Sequence, residues 1–313
     1  MNISVINKKS LRNYKLIINY NMKFTSLVQA LFLAGSAQAY KKCNYNHADV
    51  AHKEAFAVRI VFVGDKLVSG EGDAPIPTDE SVFDVEDATD GSHWGHQGFP
   101  FTFGELLKEK KPKQKFEIMN FGGLDYGMKG SFFDTCDYQK SLRSEPSVVV
   151  MAFGDSDIAA LKMHEDRYTF INKYIALGKE YLSLPSQPQV YIVTPPALKI
   201  SDVVPEPVLD DPIHQNAHYY SAIQIPTMIN TIADALSLPA ENRIDLFTPF
   251  GGDSLTEGAD LLNSDKLTPN AAGNTKISEI LYNSMIKLNN FANHEELYKV
   301  GRKTKQDPNW WGI

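Results

Sequence analysis

A serine and a carboxylate stand side by side near the end of this chain, in Gly252-Asp253-Ser254-Leu255. A serine hydroxyl becomes a nucleophile when an adjacent base removes its proton. A serine used in this way should follow a buried strand near the start of its domain, on the turn where that strand ends. Because this copy lies near the end of the chain, the sequence predicts a chance match and not a nucleophile at Ser254.

Two histidines, His93 and His96, flank Trp94 in a predicted loop. Imidazole can act as a base near neutral pH or bind a metal ion. Two histidines without a third ligand are usually polar loop residues, and neither Cys43 nor Cys136 lies in a spacing typical of zinc sites. The sequence therefore predicts no metal site and no cofactor.

The candidate groups must be positioned by strands and helices that alternate along the chain. Five short apolar runs, each closed by glycine, proline or aspartate, predict buried strands. They span 58–65, 115–122, 147–155, 189–196 and 243–250. Helical patterns lie between and after them, over 101–110, 168–184, 219–238 and 268–288.

This alternation predicts a doubly wound α/β domain whose ligands sit beyond the carboxyl ends of parallel strands. Pro226 should kink or interrupt the third of the predicted helices, because proline removes a backbone donor. We assign 58–290 to this domain, 40–57 to an N-terminal segment and 291–313 to a C-terminal tail.

The order of motifs over 58–288 resembles the SGNH hydrolases, also called GDSL esterases and lipases. The first block of that family is a strand followed by Gly-Asp-Ser-[Leu/Ile]. Here the matching strand ends in Gly64-Asp65-Lys66, so that a lysine occupies the place of the serine. The second block supplies an oxyanion glycine in an Asn-x-Gly pattern, which Asn120 and Gly122 match.

Two further blocks carry the resemblance. The third, Gly-x-Asn-Asp after a buried strand, is matched by "FGDSDI", which puts Ser156 where the family has its oxyanion asparagine. The last, Asp-x-x-His-Pro-Asn before the final helix, is matched from Asp265 onward, with Thr268 in place of the histidine. The other matching residues of that block are Pro269, Asn270 and Gly273. The resemblance implies a flavodoxin-like three-layer sandwich around a five-stranded parallel sheet.

The substitutions remove the nucleophile and the base that an esterase of this family would use. Lys66 is ordinarily an ammonium group without a lone pair, and Thr268 cannot exchange protons near neutral pH. Loss of nucleophile and base together typically costs on the order of a million-fold in rate. Gly122 and Ser156 could still donate hydrogen bonds to a carbonyl. The resemblance therefore implies a binding cleft around Asp65, Lys66, Gly122, Ser156 and Asp265, with no intact catalytic set.

The carboxylates of these blocks could instead have structural roles. Asp65 can bond the backbone at the end of its strand, and Asp155 and Asp157 can cap the helix that follows. Asp265 can be the ion partner of Lys66, which would hold that lysine protonated.

The N-terminus predicts export. From Met22 a short basic start and an apolar run lead to Ala37-Gln38-Ala39, the small-x-small pattern of a secretory cleavage site. Residues 1–39 are therefore assigned to an extension and a signal peptide, with Met1 and Met22 both open as the true start. A mitochondrial presequence is the alternative, since no acidic residue precedes Asp49.

The net charge and the hydrophobic pattern limit the classes of partner that the protein can bind, and the cysteine content leaves one disulfide possible. The net charge of −7 and a single dense basic run, at 108–115, argue against a nucleic-acid-binding protein. No stable membrane span is expected once the signal is cleaved, because the apolar run is short. In an oxidising compartment Cys43 and Cys136 could form a disulfide, and two unpaired thiols are the alternative.

Three functions of different classes fit the sequence. The first is a secreted pseudoenzyme that keeps a cleft for a glycan, an acylated sugar or a lipid ester, or that serves as a structural subunit. The second is an active carboxylic-ester or carbohydrate esterase with a rearranged site, in which Lys66 is the base and Ser156 the nucleophile. The third is a non-catalytic protein that binds a partner through Trp310 and Trp311.

Overall fold

The computed structural model describes seven segments of the chain, all within the compact unit Tyr45–Ile313. They are residues 57–70, 98–123, 126–128, 130–157, 164–199, 220–264 and 268–286. Several predictions fall outside them, namely those on the signal peptide, Cys43, the histidine loop, Asp265 and the tryptophan tail. In these segments no helix is long and apolar enough to cross a membrane, and no three potential ligands group around a metal position.

The five predicted strands form one parallel sheet, in the order β2-β1-β3-β4-β5. The strands are β1 (Val58–Gly64), β2 (Phe116–Gly122), β3 (Val148–Ala152), β4 (Gln189–Thr194) and β5 (Arg243–Asp245). The direction of winding reverses between β1 and β3. In open α/β sheets the carboxyl ends of the strands at such a reversal form a crevice for ligands.

Six α-helices connect or follow the strands in the described segments. They are α1 (Lys66–Ser69), α2 (Gly98–Lys110), α3 (Cys136–Arg143), α4 (His164–Leu182), α5 (Ile225–Ala235) and α6 (Ala271–Ile286). The helix predicted over 219–238 is interrupted as expected, because a π-helical turn, Tyr220–Gln224, precedes α5. Pro226 lies in the first turn of α5, where its missing N–H costs no hydrogen bond.

Both faces of the sheet are covered, which confirms the predicted three-layer sandwich. Side chains alternate along β1, so that Val61 and Val63 join the apolar core beneath α4 and α5. Ile60 and Phe62 join a second core beneath α2 and α6. Burial on both sides explains why these strands read as continuous apolar runs.

Glycines let α1 pack directly onto the carboxyl ends of the first two strands. Gly64 pairs with Gly122 on one side and with Ala152 on the other. A Cβ on Gly64 would lie 2.2 Å from the carbonyl oxygen of Ala152, and one on Gly122 would lie 2.6 Å from the backbone nitrogen of Ser69. The close approach requires glycine at both positions, and it fixes the residue after Asp65 at the mouth of the crevice.

Two buried or partly buried arginines stabilise parts of the sheet other than the crevice. At the amino end of β1, Arg59 is almost fully buried, forms a 2.6 Å salt bridge with Glu117 and donates to the carbonyl of Ser144. At one edge of the sheet, β5 has three residues, and the guanidinium of Arg243 donates to the carbonyl of Leu238. Arg243 also forms a 2.6 Å salt bridge with Asp234.

Helix α3 was not predicted, because only Tyr138 and Leu142 of its eight residues pack against the apolar core. Its buried residues include Asp137 and Ser141. Asp137 accepts a 2.5 Å hydrogen bond from the hydroxyl of Tyr126, and the Ser141 hydroxyl lies 2.6 Å from that of Tyr181. Cys136, the first residue of the helix, is disulfide-bonded. Polar contacts therefore add to the packing of Tyr138 and Leu142 in holding this helix in place.

Candidate functional site

Asp65 is the structural centre of the crevice. Its side chain is almost fully buried, and Oδ1 accepts a hydrogen bond from the backbone N–H of Leu67 at 3.3 Å. Oδ2 accepts from the backbone N–H groups of Gly154 at 2.8 Å and Ser156 at 3.1 Å. One carboxylate thus ties the end of β1 to α1 and to the loop after β3, as the sequence predicted for a structural aspartate.

Burial, with a smaller contribution from the charge of Asp157, raises the pKa of Asp65 to about 6. The three backbone donors oppose the rise but do not cancel it. The carboxyl group therefore changes its protonation state in a mildly acidic range, although it has no access to solvent.

Lys66 directly follows Asp65 and begins α1 at the mouth of the crevice, and it is partly exposed. Its charge reaches Asp155 on the neighbouring loop, where it lowers the pKa of that carboxyl. Burial is the larger effect, and with the charges of Asp65 and Asp157 it holds the pKa of Asp155 well above its ordinary value. The predicted ion pair between Lys66 and Asp265 falls outside the described residues and stays a prediction.

Asp155 is a residue whose importance the sequence did not indicate. The sequence assigned it with Asp157 to capping the helix that follows, and this assignment stays a prediction because residues 158–163 lie outside the described segments. The Oδ1 atom of Asp155 is buried and has no hydrogen-bond partner among the described residues. Asp157 accepts instead from the backbone N–H of Met128, at 2.8 Å. The two carboxylates follow the end of β3, where their charges interact with that of Asp65.

The two expected oxyanion donors are placed differently by the structure. The backbone N–H of Gly122 donates to Oδ1 of Asn120 at 2.9 Å, while Nδ2 of Asn120 donates to the carbonyl of Val68. Ser156 is exposed at the end of the β3 loop, with its backbone N–H directed to Asp65. The Gly122 donor is thus already satisfied inside the protein, which the motif alone did not show.

Thr268 lies where the resemblance implies a catalytic histidine. It is buried, and its hydroxyl accepts a 3.1 Å hydrogen bond from Nδ2 of Asn263. Two residues later Asn270 caps α6, since its Oδ1 accepts from the backbone N–H of Gly273. This block therefore keeps its helix-starting role and presents a structural hydroxyl in place of a base.

Ser254 lies in a loop, 251–258, that follows β5 and a short 3-10 turn, Thr248–Phe250. Its hydroxyl accepts hydrogen bonds from the backbone N–H groups of Thr256 and Glu257, at 3.3 and 3.1 Å. Nζ of Lys199 donates to the carbonyls of Gly252 and Ser254, and so fastens the loop to the domain. The serine stabilises a turn, in agreement with its interpretation as a chance match.

Comparisons with known proteins agree with this architecture. No family model and no curated protein matches the sequence. Among solved structures, an acetyl xylan esterase is similar over 72% of this chain and 99% of its own, with 19% identity and a TM-score of 0.51. A catalytic mutant of an acetylxylan esterase from Geobacillus stearothermophilus is similar over 75% of this chain and 96% of its own, with 15% identity and a TM-score of 0.50.

At this level of identity the similarity concerns the fold. Both solved chains are matched over nearly their full length. The five-stranded parallel sheet with helices on both faces is what the resemblance implied. The chain therefore has the α/β fold of the SGNH hydrolases.

Proposed function

We propose that this protein is a secreted, catalytically degenerate protein of the SGNH-hydrolase fold, which uses the crevice between β1 and β3 to bind a ligand. The observation that carries the proposal is the residue at the mouth of that crevice. Lys66 follows the end of β1 and opens α1, where a serine esterase of this fold needs its nucleophile. An acyl group transferred to a lysine amine would form an amide that water does not readily clear.

The residues at the base and oxyanion positions also support the absence of esterase activity. A serine esterase needs a base and donors aimed at the developing oxyanion. Thr268 is buried and accepts a hydrogen bond, and the N–H of Gly122 is directed to Asn120. Both groups are therefore already used in hydrogen bonds inside the protein.

The ligand that best fits this proposal is a glycan, an acylated sugar or a lipid ester. The similar solved structures are named as esterases of acetylated xylan. A crevice that has lost its chemistry can retain affinity for the same class of molecule, because binding and catalysis use different contacts. The same inactive site is also compatible with a protein that serves as a structural subunit of an assembly.

A rearranged esterase is the second candidate, and one observation favours it. Ser156 is exposed on the loop after β3, at the same edge of the sheet as Lys66. Serine and lysine can serve as nucleophile and base in hydrolases.

One assay separates the two candidates. The purified protein should neither hydrolyse short-chain aryl esters above background nor react with a serine-directed fluorophosphonate, because Lys66 stands where an esterase of this fold needs its nucleophilic serine. Labelling is read by mass spectrometry, with Ser254→Ala as the matched control for a serine in a turn. Labelling that Ser156→Ala abolishes would establish the rearranged esterase, and labelling lost only in Ser254→Ala would place a nucleophile in the loop.

Secretion rests on the small-x-small pattern at Ala37-Gln38-Ala39, and the disulfide-bonded state of Cys136 supports it. Disulfides persist in oxidising compartments and are rare in the cytosol. We expect Edman sequencing of the native protein from a secretory fraction to begin at or near Tyr40. An intact Met1 start recovered from cytosol would contradict this part of the proposal, and recovery from mitochondria would support the alternative.

A further inference from the structure

We infer that the loop after β3, residues 154–157, forms a pH-sensitive side of the crevice, which is held in place at mildly acidic pH and opens locally as the pH rises. The loop borders the crevice because the crevice lies beyond the carboxyl ends of β1 and β3. The inference rests on the proposed function in one respect, since it concerns the regulation of the site assigned there to a ligand. It follows from three carboxylates that lie together at this position and from the groups that they bind.

Two of the carboxylates fasten the loop to other parts of the chain. Asp65, which is 1% exposed, accepts hydrogen bonds on Oδ2 from the backbone N–H groups of Gly154 and Ser156, at 2.8 and 3.1 Å. Asp157, which is 2% exposed, accepts a hydrogen bond from the backbone N–H of Met128 at 2.8 Å. The loop is therefore held to the end of β1 and to the chain after β2 by hydrogen bonds to buried carboxyl groups.

The third carboxylate, Asp155, adds a charge without adding such a bond. The residue is partly exposed, but its Oδ1 atom is shielded from water and has no hydrogen-bond partner among the described residues. Its charge and those of Asp65 and Asp157 act on one another. Like charges that share a site with little water repel each other, and a buried carboxyl group is more stable with its proton. The closed loop therefore retains protons that the same groups would release in water.

In the described part of the chain, the elements packed around the loop offset this repulsion only in part. Helix α1 supplies Lys66, whose charge lowers the pKa of Asp155 but does not cancel its rise. Helix α4 supplies Tyr174, whose hydroxyl donates to the carbonyl of Met151 at 3.0 Å. Burial, and then the charges of two of the carboxylates, raises the pKa of that tyrosine, so that it stays neutral. Helix α5 supplies the apolar side chain of Ile225.

Opening of the loop lets these carboxyl groups ionise in water. A group that keeps its proton in the closed loop and loses it in the open loop makes opening up to about tenfold more frequent for each pH unit between its two pKa values. For Asp65 these values are 3.8 and about 6. Asp65 alone should therefore make opening roughly tenfold more frequent at pH 7 than at pH 5, and Asp155 should add to this.

Amide hydrogen exchange of the full chain, followed residue by residue by NMR and corrected for the intrinsic effect of pH, measures this opening. The protection of the Gly154, Ser156 and Met128 amides should fall by more than about tenfold from pH 5 to pH 7. The amide of Gly252 is the matched control, because it lies in another loop and donates to a backbone carbonyl, that of Phe247, at 2.9 Å. Its protection should change little.

The outcomes separate local opening from its alternatives. A loss of protection confined to the three amides supports the inference. Unchanged protection, while carbon NMR shows Asp65 titrating near pH 6, would show that the carboxyl group ionises in place and would overturn it. An equal loss at Gly252 would show unfolding of the whole domain and would overturn it too. The proposed function is tested separately, by the ester and fluorophosphonate assay, so that either can fail alone.

One variant tests the part that the third carboxylate plays. Asp155→Asn removes its charge and keeps its shape, so the loss of protection from pH 5 to pH 7 should shrink to the roughly tenfold that Asp65 causes. Asp134→Asn, at an exposed carboxylate elsewhere, is the control and should exchange as the natural protein does. If the two variants have the same pH profile, Asp155 has no part in the opening and the inference of a three-carboxylate cluster is wrong.

Discussion

Lys66→Ser alone is expected to leave the protein without measurable esterase activity, whereas combined replacements should create it in a strongly non-additive series. A serine at this position still lacks a base, because the hydroxyl of Thr268 is buried and accepts a hydrogen bond from Asn263. Lys66→Ser with Thr268→His supplies both members of the pair. Since nucleophile and base act as a unit, the second change should matter only in the presence of the first.

The third change concerns the oxyanion. Adding Ser156→Asn places an amide donor at the exposed position after β3, and one such donor is commonly worth about a hundredfold or more in kcat. The triple variant should nevertheless remain slow for an esterase, because the N–H of Gly122 still donates to Asn120. The rates are measured on a short-chain aryl ester, after circular dichroism has shown that each variant is folded.

Two results would contradict this account. Substantial activity from Lys66→Ser alone would show that another base already serves the crevice, with His93 and His96 as the first residues to replace. Equal activity of the double variant and of Thr268→His alone would show that the end of β1 is not where an acyl group is attacked.

Asp65 should make the protein more stable at pH 5.5 than at pH 7.5. Its pKa rises from the ordinary 3.8 to about 6 on folding, first because of burial and then because of the charge of Asp157. A carboxyl group whose pKa is raised in the folded state contributes stability that is present in full below pH 3.8 and is lost as the pH rises through 6. The whole shift of the pKa corresponds to about 3 kcal/mol, most of which is already lost below pH 5.5, so that about 0.8 kcal/mol is expected to separate pH 5.5 from pH 7.5.

Urea unfolding at a series of pH values measures this effect. Asp65→Asn should remove much of the dependence between pH 4 and pH 7, although the raised pKa of Asp155 leaves a part of it. Asp134→Asn, at an exposed carboxylate, should change the profile little. A natural protein that loses stability steadily from pH 7.5 to pH 5.5, or an Asp65→Asn variant with an unaltered profile, would refute the assignment.

Much of the fold follows from local sequence because the sheet is buried on both faces. Strands such as β1 and β3 must then be apolar on both sides, so they appear as short continuous runs that can be recognised without any knowledge of their neighbours. Pro226 likewise acts locally, through its missing donor, and the break before α5 was predicted from that residue alone. The sequence also showed directly that Lys66 and Thr268 replace the serine and the histidine of the family motifs.

What could not be predicted is which polar group each side chain of the crevice binds. Asn120 captures the N–H of Gly122 and reaches the carbonyl of Val68 only because α1 packs against the end of β2. That packing depends on the register of β1 against β2, which brings together residues about sixty positions apart. Helix α3 was missed for a related reason, since polar contacts to distant residues help to hold it and its two core-packed apolar side chains, Tyr138 and Leu142, are too few to show a period.

The shortness of β5 has a consequence for how the protein behaves when it is concentrated. An exposed strand edge offers a row of backbone donors and acceptors with which another chain can pair, and aggregation often starts there. This edge offers only Arg243, Ile244 and Asp245, and Asp245 is an exposed charged side chain. The guanidinium of Arg243 is turned back toward Leu238 and Asp234. A second molecule would find few groups to extend the sheet here, so this edge resists growth into ordered aggregates.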